Sequence, residues 1–154
     1  MLKEKLNRIR MNTEIIKRAF SYLGTKEIPG KESNPAVLAM IQSLLSWVKN
    51  DEINWCSAFA KRVVEEAGYD SSGANAAARS WLNVGEAVAE PVPGDIVVFW
   101  RISKLDWRGH VGFFLHDDGE DIWVLGGNQS DEVNVSPYSK SRLLAYRRPV
   151  KLLT

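Results

Sequence analysis

The chain has 154 residues, 45% of them hydrophobic, which suits one domain with its own core. Its 20 Lys and Arg stand against 19 Asp and Glu, a formal net charge of +1, so no strong field recommends nucleic acid or an anionic membrane as partner. The single cysteine, Cys56, excludes an intramolecular disulfide, and with only two scattered histidines, His110 and His116, it matches no metal-ligand spacing, so neither metal nor cofactor is expected.

The opening MLKEKLNRIRMNTEII is basic but lacks the apolar run and small-residue cleavage site of a secretory signal. No stretch approaches the roughly 20 apolar residues of a membrane span. The expectation is a protein made in the cytoplasm, with residues 1–11 a flexible extension or a short amphipathic helix and residues 12–154 a single domain. Asn12 or Thr13 can cap a first helix carrying Ile15, Ile16, Phe20 and Leu23, ended by Gly24. The stretch TKEIPGKES, with Pro29 and Gly30, reads as a surface loop. Asn34 and Pro35 form an N-cap and first-turn pair opening a second helix through Val37, Leu38, Ile41, Leu44, Leu45 and Val48. Lys49 to Ile53 is a polar link that brings Asp51 and Glu52 near the next helix N-terminus.

That next helix is NWCSAFAKRVVEEAG, Asn54 to Gly68. Phe59, Ala60, Val63, Val64 and Ala67 recur at helical spacing, Lys61, Arg62, Glu65 and Glu66 take the opposite side, and Gly68 is a natural stop. With Asn54 as N-cap, Cys56 falls in the first turn, where unpaired N–H groups and the helix dipole favour an anion; a thiolate should form more easily there than in water. The alternative is a small buried apolar residue, a common fate of free cysteines. After Gly68 comes DSSGANAAARSWLNVG, in which residues 76–82 can make a short helix anchored by Trp81.

From Pro91 the grammar changes: IVVFW, GHVGFFL, DIWVLGG, EVNVSPY and LLAYRRP are short and β-rich. Helices first and strands afterwards mean an α+β fold with a largely antiparallel sheet. Alternation places Val111, Phe113 and Leu115 on the core face, and His110, Gly112, Phe114 and His116 on the other. Six residues at about 3.3 Å each put the two histidines roughly 20 Å apart, so only one can serve a given centre, and His116 beside Asp117, Asp118 and Gly119 reads as a hairpin-end residue. If Asp117 to Asp121 form a five-residue loop, His116 faces Ile122, Leu115 faces Trp123, Phe113 faces Leu125 and His110 faces Asn128. The Asn128 amide could then orient the imidazole, giving Cys56, His110 and Asn128 as nucleophile, base and orienter. An ordinary turn residue is the other reading of Asn128.

Four motifs in one order, WCSAF at 55–59, PGDIVVF at 93–99, GHVGFF at 109–114 and GGNQ at 126–129, resemble the papain-like cell-wall hydrolases of the NlpC type and the related CHAP amidases, particularly small phage and prophage members. The resemblance implies a papain-like fold in which the cysteine, at a helix N-terminus, packs on a C-terminal antiparallel sheet bearing the histidine. It implies Cys56, His110 and Asn128 as the catalytic set. It also implies cleavage of an amide in peptidoglycan or a muropeptide, as an N-acetylmuramoyl-L-alanine amidase or a stem-peptide endopeptidase working through a thioester. Trp55, Trp81 and Gln129 are candidate substrate contacts. Many CHAP enzymes carry an acidic residue two places before their asparagine, where this chain has Gly126, and the acidic calcium loop of some phage members is not visible. Two readings stay open beside this one: a phage-type binding or assembly module that kept the fold without turnover, and the same cysteine chemistry on another amide. The substrate implied lies in the cell wall, which the protein would reach by release or delivery.

Overall fold

In the computed structural model, which describes residues 2–27, 34–44 and 54–153, the helices precede the strands. The Pro29–Gly30 turn, Leu45 and Val48 of the second helix, and the link holding Asp51 and Glu52 lie outside the described residues.

Helix α1, Leu2–Ser21, begins well ahead of the Asn12 or Thr13 cap expected for it and takes in most of the segment set apart as an extension. Ile15 and Ala19 of this helix are buried. Gly24, at φ +88°, turns the chain so that its N–H meets Val133 O, and residues 25–27 continue beside the same strand through Val133 N–H to Thr25 O (2.7 Å) and Glu27 N–H to Asp131 O (2.8 Å). Helix α2, Pro35–Gln42, is capped as its Asn-Pro start predicts: Asn34 Oδ1 accepts from Ala36 N (2.9 Å) and Val37 N (3.4 Å). Helix α3, Cys56–Glu66, buries Phe59, Ala60, Val63 and Val64 and leaves Lys61 and Glu65 to pair outside. A short 3-10 helix at Ala78–Asn83 carries Trp81 into the core.

The strands are β1 (Glu86–Val88), β2 (Ile96–Trp100), β3 (Gly109–Asp117), β4 (Asp121–Gln129), β5 (Glu132–Ser139) and β6 (Leu143–Arg148). They form one antiparallel sheet in the order β1-β6-β2-β3-β4-β5. The sheet has two apolar faces. Ile96, Val98, Val111, Phe113 and Leu125 meet the helices, while Val97, Phe99, Phe114, Ile122, Val124 and Tyr146 pack on the far side, so the alternation expected along β3 is the one observed. The buried carboxylate of Asp95 accepts from Val92 N (2.8 Å) and from Arg148 Nε and Nη2 (2.9 and 2.7 Å), fastening the start of β2 to the end of β6.

The β3–β4 register departs from expectation at both ends. Phe113 does face Leu125, but a bulge at Leu115 sets His116 against Trp123 and Asp117 against Ile122, and the loop shrinks to residues 118–120. Asp118 causes the tightening: its Oδ1 accepts from the N–H groups of Glu120 and Asp121, and its Oδ2 takes the Trp123 indole N–H (2.9 Å). Trp123 is therefore drawn to the hairpin end rather than lying beside Leu115 on the core face.

Candidate active site

Cys56 is the first residue of α3, and the N-cap position belongs to Trp55, whose side chain makes no capping bond. Asn54 acts from one residue further back, its Oδ1 accepting the Cys56 N–H at 3.3 Å. The sulfur lies at the start of β3, within reach of the Val111 N–H as well as the N–H groups of Ser57 and Cys56 itself, all of which favour a thiolate, as does the Arg101 charge. Burial outweighs them: Cys56 is 1% exposed, and desolvation pushes its thiol above the ordinary value. The easier ionisation expected from the helix terminus is thus reversed by the loss of water around it.

His110 immediately precedes Val111, the strand residue whose N–H lies near the sulfur. The ring is 6% exposed and stacks on Tyr138 of β5 (centroids 4.7 Å, planes 19° apart), which also stacks with Phe99 at 5.1 Å. Burial, with a smaller push from Arg101, depresses its pKa to about 4 against the opposing effect of a hydrogen bond to Gln129. Cys56 and His110 therefore both rest uncharged near neutrality. No hydrogen bond joins the two side chains among the described residues.

The residue that holds His110 is Gln129, not Asn128. His110 Nε2 lies 2.9 Å from Gln129 Oε1 in a buried contact. The cause is a second bulge: Gly126 pairs with Asn134 and Gln129 with Glu132, leaving two residues of β4 against one of β5, and Asn128 takes φ +57°. The following turn, with Ser130 and Asp131 at φ +54° and +64°, reverses the chain into β5. Simple alternation across Gly127 and Asn128 therefore fails by one residue, and it is Gln129 that turns to the histidine. Asn128 instead donates from Nδ2 to Asn54 Oδ1 (3.1 Å), so the two asparagines clasp at the N-terminus of α3. Gly126 is the companion of this arrangement, since a Cβ there would sit 2.4 Å from Gln129 Oε1.

The other candidates separate cleanly. Trp55 and Trp81 are fully buried, their indole N–H groups donating to Glu27 Oε1 (2.6 Å) and Ser57 Oγ (2.8 Å); both are core residues and not cleft walls. His116 is exposed at the hairpin end. Gln129 lines a cavity of about 240 Å³ with His110, Tyr138, Asn128, Arg101 and Trp100. A larger apolar cavity of about 750 Å³ lies on the Asn54 side, lined by residues 74–78, Arg101, Ile102 and Trp107. Arg101 borders both, and the Asn54–Asn128 bond bridges them. Tyr138 and Arg101 escaped the sequence reading because their relation to Cys56 exists only across strands. No described group of His, Cys, Asp and Glu could hold a metal ion, and no described helix is long and apolar enough to cross a membrane.

A family model described as the CHAP domain matches residues 48–128, more than half of the chain. No curated protein matches it. Among solved structures, the chain is similar to the P60 domain of a Mycobacterium avium paratuberculosis antigen (TM-score 0.54, 15% identity, 97% of this chain and 98% of that one). It is also similar to the peptidoglycan hydrolase RipB of Mycobacterium tuberculosis (TM-score 0.57, 17% identity, 96% and 68%). A third is a Staphylococcus aureus lipoprotein-like protein of the NLP/P60 family (TM-score 0.55, 17% identity), where 93% of this chain spans only 42% of the other. At these identities the likeness concerns the fold, the papain-like one of NlpC/P60 domains.

Proposed function

The chain belongs to the CHAP domain family, and from that premise we propose that it is a peptidoglycan hydrolase cutting an amide bond, either between muramic acid and the stem peptide or within that peptide. One observation carries the reading: an imidazole whose Nε2 is tied to a buried amide oxygen, on the residue before Val111, whose N–H lies near the sulfur of a helix-terminal cysteine. RipB, similar in fold, is itself a peptidoglycan hydrolase.

In the proposed reaction His110 Nδ1 takes the Cys56 proton as sulfur bonds to the amide carbon. The oxyanion is held by N–H groups at the start of α3, where Asn54 Oδ1 must yield the Cys56 N–H. His110 then protonates the departing amine as the C–N bond breaks, leaving a thioester. Water, deprotonated by the same imidazole, cleaves the thioester and restores the thiol.

The test is to incubate purified peptidoglycan with the protein and with Cys56→Ala, and to weigh the released fragments. Fragments from the parent alone support the reading and name the bond; fragments from both variants would sink the cysteine assignment. The near-complete burial of Cys56 favours one competitor, a wall-binding module without turnover. That reading predicts no fragments from either variant, no thiol alkylation by iodoacetamide within hours, and sedimentation of the protein with intact walls.

A further inference from the structure

We propose that Asn134, on β5, is a positioning residue of the histidine: it locks the Gln129 carboxamide with oxygen towards His110 and so decides which ring nitrogen carries the proton. The proposal rests on the catalytic reading of Cys56 and His110.

A carboxamide can face an imidazole with either end. If the oxygen faces Nε2, that nitrogen must carry the hydrogen, and Nδ1 keeps the lone pair a base needs; if the NH₂ faces it, the proton moves to Nδ1 and the base is lost. The choice is made on the far side of Gln129. Its Nε2 meets three acceptors, Asn134 O (2.8 Å), Asn134 Oδ1 (2.9 Å) and Val124 O (3.2 Å). Reversal would turn the carbonyl oxygen onto three other oxygens in a buried place, where unpaired acceptors are costly. Two of the three belong to Asn134.

Asn134 could transmit this choice only if it were itself fixed, and it is. Its Nδ2 donates to Gln129 O (2.8 Å) and Glu132 Oε1 (3.0 Å), and its Oδ1 accepts from Ser136 Oγ (2.7 Å) as well as from Gln129. Reversing Asn134 would break three of these contacts, those to Gln129 Nε2, Gln129 O and Glu132 Oε1, while the Ser136 hydroxyl can accept as readily as it donates. Orientation therefore passes from Glu132 and the Gln129 main-chain carbonyl to Asn134, from Asn134 to the Gln129 side chain, and from there to His110. The ladder pairing of Asn134 with Gly126, the glycine that makes room for the carboxamide, holds the relay at one height in the sheet.

The test reads the tautomer directly, by ¹⁵N NMR of the imidazoles in the full-length chain, with His116→Gln to leave His110 alone in the spectrum. The parent should show hydrogen on Nε2. Asn134→Ala should admit the Nδ1–H form and lower kcat about 10-fold with KM unchanged. Glu132→Ala, a gentler change that keeps the test open if Asn134→Ala fails to fold, should shift the tautomer in the same direction by less. Adding Gln129→Glu to Asn134→Ala should restore the Nε2–H form, because a carboxylate has no wrong end. Retention of the parent tautomer in both folded single variants, or no restoration in the double, would overturn the proposal. Because the spectrum needs no turnover, a protein inactive on peptidoglycan with a tautomer that obeys Asn134 would refute the catalytic reading and leave the relay standing.

Discussion

At Gly126 and Gln129 two residues share one space, and each accounts for the other. The carboxamide occupies what a side chain at 126 would fill, with an added Cβ 2.4 Å from Oε1, 3.0 Å from Cδ and 3.3 Å from His110 Nε2. Gly126→Ala should therefore dislodge the same oxygen that Gln129→Ala removes, each lowering kcat by roughly 10-fold or more. The double variant should be no worse than Gln129→Ala alone, since one interaction cannot be lost twice. Additive losses in steady-state kinetics would show that Gly126 matters for another reason. Asn128→Gly, which frees the Asn54 clasp and keeps the positive φ of the bulge, should stay within about 3-fold of the parent on the same assay, the net worth of one exposed hydrogen bond. Cys56 and His110 were legible because a lone thiol at a helix start and a histidine in an alternating strand each leave a local mark. Gln129 stood in the same motif and was read only as a candidate substrate contact, its hold on His110 unseen, because the bulge that turns it inward has no sequence mark beyond two glycines and an asparagine that tolerates positive φ.

Among the elements, the β2–β3 connection is built most like a cavity wall. It opens with a tight turn in which Ser103 N–H reaches Arg101 O (2.7 Å) and Ile102 is forced to φ +66°, a costly conformation for a β-branched residue. Arg79, from the 3-10 helix, holds the strained loop by three carbonyls: Nε to Arg108 O (2.9 Å), Nη1 to Lys104 O (2.7 Å) and Nη2 to Ser103 O (2.9 Å). Asp106 helps from within, its carboxyl held well below the usual range by Arg108. The segment was legible as a loop, yet its clamp was not, since Arg79 lies far away in sequence and reads as one more surface charge. A lysine has no planar fork and cannot span three carbonyls. Arg79→Lys should therefore loosen Ile102 and Trp107 along the larger cavity without touching Cys56 or His110. KM for peptidoglycan fragments should rise about 5-fold, matching a lost hydrogen bond worth about 1 kcal/mol, with kcat nearly unchanged. An equal fall in kcat would place the loop in the chemistry.

Across the whole molecule, the burial of the base links the site to the stability of the fold. His110 is covered by elements from distant parts of the chain: Tyr138 on β5, Gln129 on β4, and Phe99 of β2, which also stacks on Tyr138, with Arg101 as the nearby cation. Removing water from the ring depresses its pKa to about 4 from the ordinary 6.5. Above the ordinary value the imidazole is neutral whether the chain is folded or not, and its titration costs nothing. As pH falls from 6.5 towards 4, the unfolded chain takes up a proton that the folded one refuses, so unfolding gains ground by about 1.4 kcal/mol per pH unit. Below about 4 both states are protonated and the loss levels off on the order of 3 kcal/mol. His110→Gln removes this titration and leaves every carboxylate in place. The difference in urea unfolding free energy between parent and variant should therefore shrink, or reverse, by that amount between pH 7 and pH 4, with most of the change inside the window. A constant difference across that range would mean that water reaches the imidazole in the folded protein, and the depressed pKa together with the uncharged resting pair would have to be given up.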